Sequence, residues 1–183
     1  MNIMKKIKIK ICGQNNPAII EHCFNLGVDQ QGLIFFNKSP RNLDNDTLKI
    51  IDQYFHDFQE TFVGVFVNPS VEEIEEKLNI YNFQTIQLHG NENQELIDQI
   101  KSKFKKKIYK SVSPENIINI KLKNIDRFLI EKNPNEQDQP GGNNKTWDWS
   151  KFKNPLNHPF ILSGGLNQQN IFEAINLTGA DFV

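Results

Sequence analysis

The chain has 183 residues, with 21 Lys+Arg against 22 Asp+Glu and a formal net charge of −1, a length that suits one domain. That balance gives no electrostatic pull toward nucleic acid or an anionic membrane surface. No apolar run approaches the roughly 20 residues of a membrane span, and the amino terminus alternates Lys with Ile instead of presenting a signal peptide. Cys12 and Cys23 lack CxxC spacing, so neither a disulfide scaffold nor a zinc site is suggested, and the expectation is a soluble cytoplasmic domain.

In chain order, residues 7–12 (IKIKIC) alternate strictly and read as a strand. A helix follows over 17–26, with Ile19, Ile20, Cys23 and Leu26 on one face and Gly27 as its stop. Residues 32–36 (GLIFF) form the second strand and 46–55 the second helix. The run 62–67 (FVGVFV) is the strongest strand signal, and Pro69 and Ser70 then open a helix to Leu78. Residues 85–88 (TIQL) precede a helix through Ile97 and Ile100. Strands at 108–112 and 128–130 flank an Ile-rich segment, and 160–162 (FIL) leads to a helix from about Gln168 to Leu177. Ala180, Asp181, Phe182 and Val183 read as the start of an eighth strand. Strands separated by helical patterns at this spacing predict a parallel (β/α)8 barrel, one domain over 1–183 that is cut short in strand eight.

In such a barrel, chemistry sits at the carboxyl ends of the strands. Cys12 ends the first strand and shares parity with Lys8 and Lys10, so it points to the axis while Ile7, Ile9 and Ile11 face the helices. A thiol there serves as a base or nucleophile, or as a small buried hydrophobe. His89 ends the fourth strand in step with Gln87, lining a pocket or simply capping the strand; His22, His56 and His158 are unassigned. Arg41 closes FFNKSPR; arginine occurs elsewhere only at Arg127, and its planar fork matches a carboxylate. Ser163, Gly164 and Gly165 follow the seventh strand and offer backbone N–H groups to an anion, or a tight turn. Gly141 and Gly142 lie in a polar loop over 132–145. Glu131 ends the sixth strand, as one half of an acid–base pair or as an ordinary solvated carboxylate.

Six motifs stand in order at successive strand ends: KICG (10–13), KSPR (38–41), GVFVN (64–68), QLHG (87–90), TWDW (146–149) after a Gly-Gly, and LSGGLN (162–167). Together they resemble phosphoribosylanthranilate isomerase, a barrel enzyme of tryptophan biosynthesis. The resemblance implies an Amadori rearrangement of N-(5-phosphoribosyl)anthranilate to 1-(2-carboxyphenylamino)-1-deoxyribulose 5-phosphate. It implies Cys12 as the base that removes the sugar C2 proton and an acid on strand six that opens the ring. Arg41 would hold the anthranilate carboxylate, His89 would line the site, and Gly164 and Gly165 would bind the phosphate. No metal or organic cofactor is implied. The implied partners are the sugar-phosphate substrate and, by association or fusion, other tryptophan-pathway enzymes.

Three departures from the family pattern qualify this expectation. Glu131 stands where the family has aspartate; the acidities are similar, about 4.3 against 3.9. Its extra methylene shifts the carboxyl by roughly 1.5 Å, where a misplacement of about 1 Å costs on the order of 100-fold. Glu136 and Asp138 in the loop are lesser candidates for its role. The family's Gly-Gly-Thr-Gly reads Gly141, Gly142, Asn143, Asn144 here. The family also continues beyond Val183, which leaves strands one and seven with unpaired edges and makes a fragment the expected explanation. The alternative reading is a catalytically impaired barrel retained for interaction with other pathway enzymes. A different sugar-phosphate barrel, such as an epimerase or the next synthase of the pathway, is a third reading; those families share the phosphate loop but lack the KICG and SPR pair.

Overall fold

A computed structural model of the chain describes residues 6–132, 146–152 and 158–183. Seven strands run parallel in one sheet, in chain order: β1 (Lys10–Cys12), β2 (Gln30–Phe35), β3 (Phe62–Phe66), β4 (Thr85–Leu88), β5 (Lys107–Val112), β6 (Arg127–Ile130) and β7 (Phe160–Leu162). Five α-helices stand among the described residues: α1 (Pro17–Asn25), α2 (Asn45–Phe55), α3 (Val71–Ile80), α4 (Gln94–Phe104) and α5 (Ile171–Thr178). A single 3-10 turn, Ile117–Asn119, occupies the Ile-rich stretch between β5 and β6.

Local chemistry explains where most helices begin. Asn16, Asp44 and Asn93 each accept a backbone N–H of the first turn, and Pro17 sits where a helix needs no donor. Ser70 and Glu73 form a reciprocal capping box on α3. Helix α5 starts at Ile171, later than the spacing of its apolar residues suggests. The amide of Asn170 accepts from Asn167 N and donates to Gly165 O, and Asn167 Oδ1 accepts from Gln169 N. These side-chain bonds hold 167–170 as a turn in competition with helix.

The sheet sorts its side chains by parity. Ile34, Val63, Val65, Tyr109, Leu129, Ile161 and Phe182 pack together on one face. The other face, including Leu33, Phe62, Phe66, Ile86, Leu88 and Ile108, packs on Ile20, Leu48, Ile51, Ile74, Ile97 and Ile100 of the helices. Each such burial contributes roughly 1.5–3 kcal/mol.

Two expectations about β1 are corrected. Ile9 and Ile11 do not lie under helices; each is 40% exposed. Helix α1 leans on β2 instead, where Gln31 Nε2 donates to Ile20 O at 3.1 Å. The edges of β1 and β7 are also not bare. Residues 181–183 hydrogen-bond to both sides: Lys8 N to Asp181 O, Lys10 N to Val183 O, Val183 N to Lys8 O and Leu162 N to Phe182 O, all 2.8–3.0 Å. Phe182 is buried, with the Arg127 guanidinium 5.4 Å from its ring centre.

Candidate active site

A cavity of about 440 Å³ opens at the carboxyl ends of the strands, floored by Ile34, Val65, Leu129 and Ile161. Around it stand Lys10 and Cys12 from β1, Arg41 from the loop after β2, Gln87 and His89 from β4, and Glu131 and Ser163 from the ends of β6 and β7. Strand parity and the loop after β2 therefore bring Cys12, Arg41, His89 and Glu131 to one mouth, as their sequence positions suggest.

Small residues make the amino-terminal side of the site. Cys12 pairs in register with Gly32 on β2. A Cβ at Gly32 would stand 2.7 Å from Cys12 Sγ and 3.2 Å from Lys10 Nζ, so only glycine leaves room for thiol and ammonium together. Gly13 has φ +89°, and a Cβ there would meet Arg41 Nη1 at 2.6 Å. Over that gap Arg41 donates from Nη1 to Cys12 O at 2.9 Å. The guanidinium is thus fixed beside the cysteine, with its other N–H groups available to a carboxylate.

The opposite side is a polar chain across three strands. Glu131 Oε1 contacts His89 Nε2 and accepts from Ser111 Oγ at 3.1 Å. Gln87 Nε2 lies 3.0 Å from His89 Nδ1. Burial works against the charge on Glu131, but His89, the Ser111 hydroxyl and the Lys10 ammonium together hold its carboxyl below the ordinary 4.5.

Gly164 and Gly165 do not line the cavity wall themselves. They follow Ser163 with φ +94° and +64°, and no acceptor among the described residues engages their backbone N–H groups. Trp147 donates from Nε1 to Ser163 O at 3.1 Å and packs edge-on against Phe152, so the TWDW motif braces this turn. Gly141, Gly142, Glu136 and Asp138 lie outside the described residues.

Sequence reasoning missed the support behind His89. Glu92, fully buried, accepts from Asn68 N and Gly90 N at 2.9 Å each and pairs with Lys110 Nζ at 3.0 Å. Lys110 also donates to Gly90 O at 2.7 Å. This pair ties the loops after β3 and β4 to β5. A Glu three positions past QLH, and a Lys of outward parity in a buried strand, were the available signals. No His/Cys/Asp/Glu cluster able to hold a metal ion occurs among the described residues.

The family described as N-(5'-phosphoribosyl)anthranilate (PRA) isomerase matches residues 9–183. The N-(5'-phosphoribosyl)anthranilate isomerase of Legionella pneumophila (strain Paris) is 34% identical, over 94% of this chain and 82% of that relative. The one from Sinorhizobium fredii is 33% identical over 96% and 81%. Among solved structures, phosphoribosyl anthranilate isomerase from Thermotoga maritima superposes with a TM-score of 0.80 at 28% identity, covering 97% of this chain and 86% of that one. An isomerase in complex with reduced 1-(o-carboxyphenylamino)-1-deoxyribulose 5-phosphate gives 0.74 at 26%, covering 97% and 85%. On this evidence the chain belongs to the phosphoribosylanthranilate isomerase family.

Proposed function

We propose that the isomerase chemistry of this family, the Amadori rearrangement of N-(5'-phosphoribosyl)anthranilate in tryptophan biosynthesis, runs in the cavity between Cys12 and Glu131. The observation that carries this reading is one mouth lined at once by a thiol, a guanidinium, an imidazole and a buried carboxyl. The acid delivers a proton to the furanose ring oxygen. The C1–O bond then breaks and the anthranilate nitrogen forms a C=N bond to C1. Cys12 removes the C2 proton to give the enolamine, which ketonises as C1 gains a proton and the C2 hydroxyl loses one. Arg41 holds the anthranilate carboxylate through its planar fork, and the free amides of Gly164 and Gly165 hold the phosphate. The carboxyl of Glu131 stands in the cavity against His89 and Ser111, facing the thiol side, and this placement favours a working site over an impaired barrel. The third reading, another sugar-phosphate barrel, leaves the Arg41 fork beside Cys12 without a carboxylate to hold.

The same reading takes the curled sheet as one (β/α)8-type domain whose eighth strand begins at Asp181, working in the cytoplasm on a small sugar phosphate. The test follows the loss of substrate fluorescence with purified chain. Cys12→Ala is expected to lower kcat by about 10²–10⁴, and Arg41→Ala to raise KM with a smaller change in kcat. Turnover by Cys12→Ala at the wild-type rate would overturn the assignment.

A further inference from the structure

Gln87, His89 and Glu131 leave one feature that the reaction above does not use. Gln87 is 1% exposed, and its Oε1 has no partner while its Nε2 faces His89 Nδ1. A buried carbonyl oxygen left unpaired is costly and calls for a purpose. The donors read consistently in one direction. With Gln87 Nε2–H donating to Nδ1, the histidine proton sits on Nε2 and faces the Glu131 carboxylate. That arrangement holds a neutral ring and an ionised carboxylate, so it contains no proton to open a sugar ring.

Rotation of the Gln87 amide by 180° changes this. Oε1 then accepts from Nδ1–H, and the ring can carry a second proton with Nε2 against Glu131 Oε1, while the amide nitrogen takes the enclosed place that Oε1 held. The oxygen that was orphaned becomes the acceptor that the protonated ring requires.

We propose that the transferable proton of the acid is stored on the His89 ring, and that Gln87 is the positioning residue that permits it by turning its amide over. The proposal rests on Glu131 being the acid of the reaction above. The imidazolium passes its Nε2 proton to the Glu131 carboxylate, and rotation of that carboxyl carries the proton to the furanose oxygen as C1–O breaks. Glu131 returns to carboxylate, His89 is left neutral, and solvent restores the ring proton after the C2 proton has gone to Cys12. The other groups around the pair are Lys10 and Cys12 from β1, Arg41 after β2, and Ser111 from β5. The Glu92–Lys110 pair lies behind the loop and neutralises itself.

Two substitutions at Gln87 separate this from a structural role. Gln87→Met keeps the volume and removes the acceptor; Gln87→Glu keeps an acceptor and adds charge. The full chain is followed by ¹⁵N NMR of the His89 ring against pH, a readout that needs no turnover. The expectation is an Nε2–H tautomer in the unsubstituted chain, with ring protonation displaced to lower pH in Gln87→Met and to higher pH in Gln87→Glu, each by about one pH unit. The basic limb of kcat/KM moves with it, so Gln87→Met loses roughly tenfold at pH 8 and recovers in mild acid. An Nδ1–H tautomer, displacement of both variants in the same direction, or a kinetic limb that stays put while the ring titration moves would each overturn the proposal. A chain that never turns over the substrate while its ring signals behave as stated would instead indict the assigned reaction.

Discussion

At the carboxyl of Glu131, burial and charge pull in opposite directions, and the direction of the balance has a measurable consequence. Its folded value lies below the ordinary 4.5, so the ionised group stabilises the fold at and above that pH. This contribution is lost as pH falls through the lower folded value. Glu131→Gln is therefore expected to be less stable than the parent chain near neutrality and to converge with it in acid, as urea unfolding at pH 7 and below pH 4 will show. The same residue marks the limit of what sequence conveys at this scale. Alternation in TIQLH and FLIE placed His89 and Glu131 at the mouth, because period two is a local property. Their mutual contact, and the bond from the Ser111 hydroxyl to Glu131, depend on the lateral register of β4, β5 and β6, which no local pattern encodes. Glutamate looked overlong on its own; among its neighbours its carboxyl meets His89 and Ser111.

Among the elements, one ion pair ties the loops after β3 and β4 to strand β5. The Glu92–Lys110 pair is almost wholly enclosed, with side-chain exposures of 0% and 5%. Removing one partner strands the other charge in the protein, which costs about 3–5 kcal/mol. Lys110→Met is accordingly expected to lower Tm by on the order of 10 °C. Glu92→Gln introduced on top should recover part of that loss; a fully additive double variant would mean that the two charges act separately. A helix start was legible where a capping side chain stood before an apolar face, as at Ser70. The start of α5 was not, since Asn167 and Asn170 compete for the same backbone groups and win.

For the molecule as a whole, the seven parallel strands in chain order follow the alternation of strand and helix signals and their repeat spacing. What joins the two ends of the sheet does not. Lys8, Leu162 and residues 181–183 are far apart in sequence, and only their hydrogen bonds bring them together. Phe182 supplies the apolar part of that junction, 2% exposed among the inward side chains. Truncating it leaves a void under Arg127, so Phe182→Ala is expected to cost about 3–5 kcal/mol and to lower the urea midpoint without changing the substrate KM. A midpoint equal to that of the parent chain would show that the junction contributes nothing to the fold.

Trp147 binds the carbonyl of Ser163, one residue before the paired glycines, and Trp149 stands 6.4 Å from it. These are the chain's two tryptophans. Indole emission responds to the field and polarity around its N–H, so the proposed anion turn comes with a built-in optical gauge. Seating inorganic phosphate there alters the dipoles directly beside one chromophore and, through edge-on packing, the other. Ligand occupancy is thereby written into the intrinsic fluorescence, with no label attached.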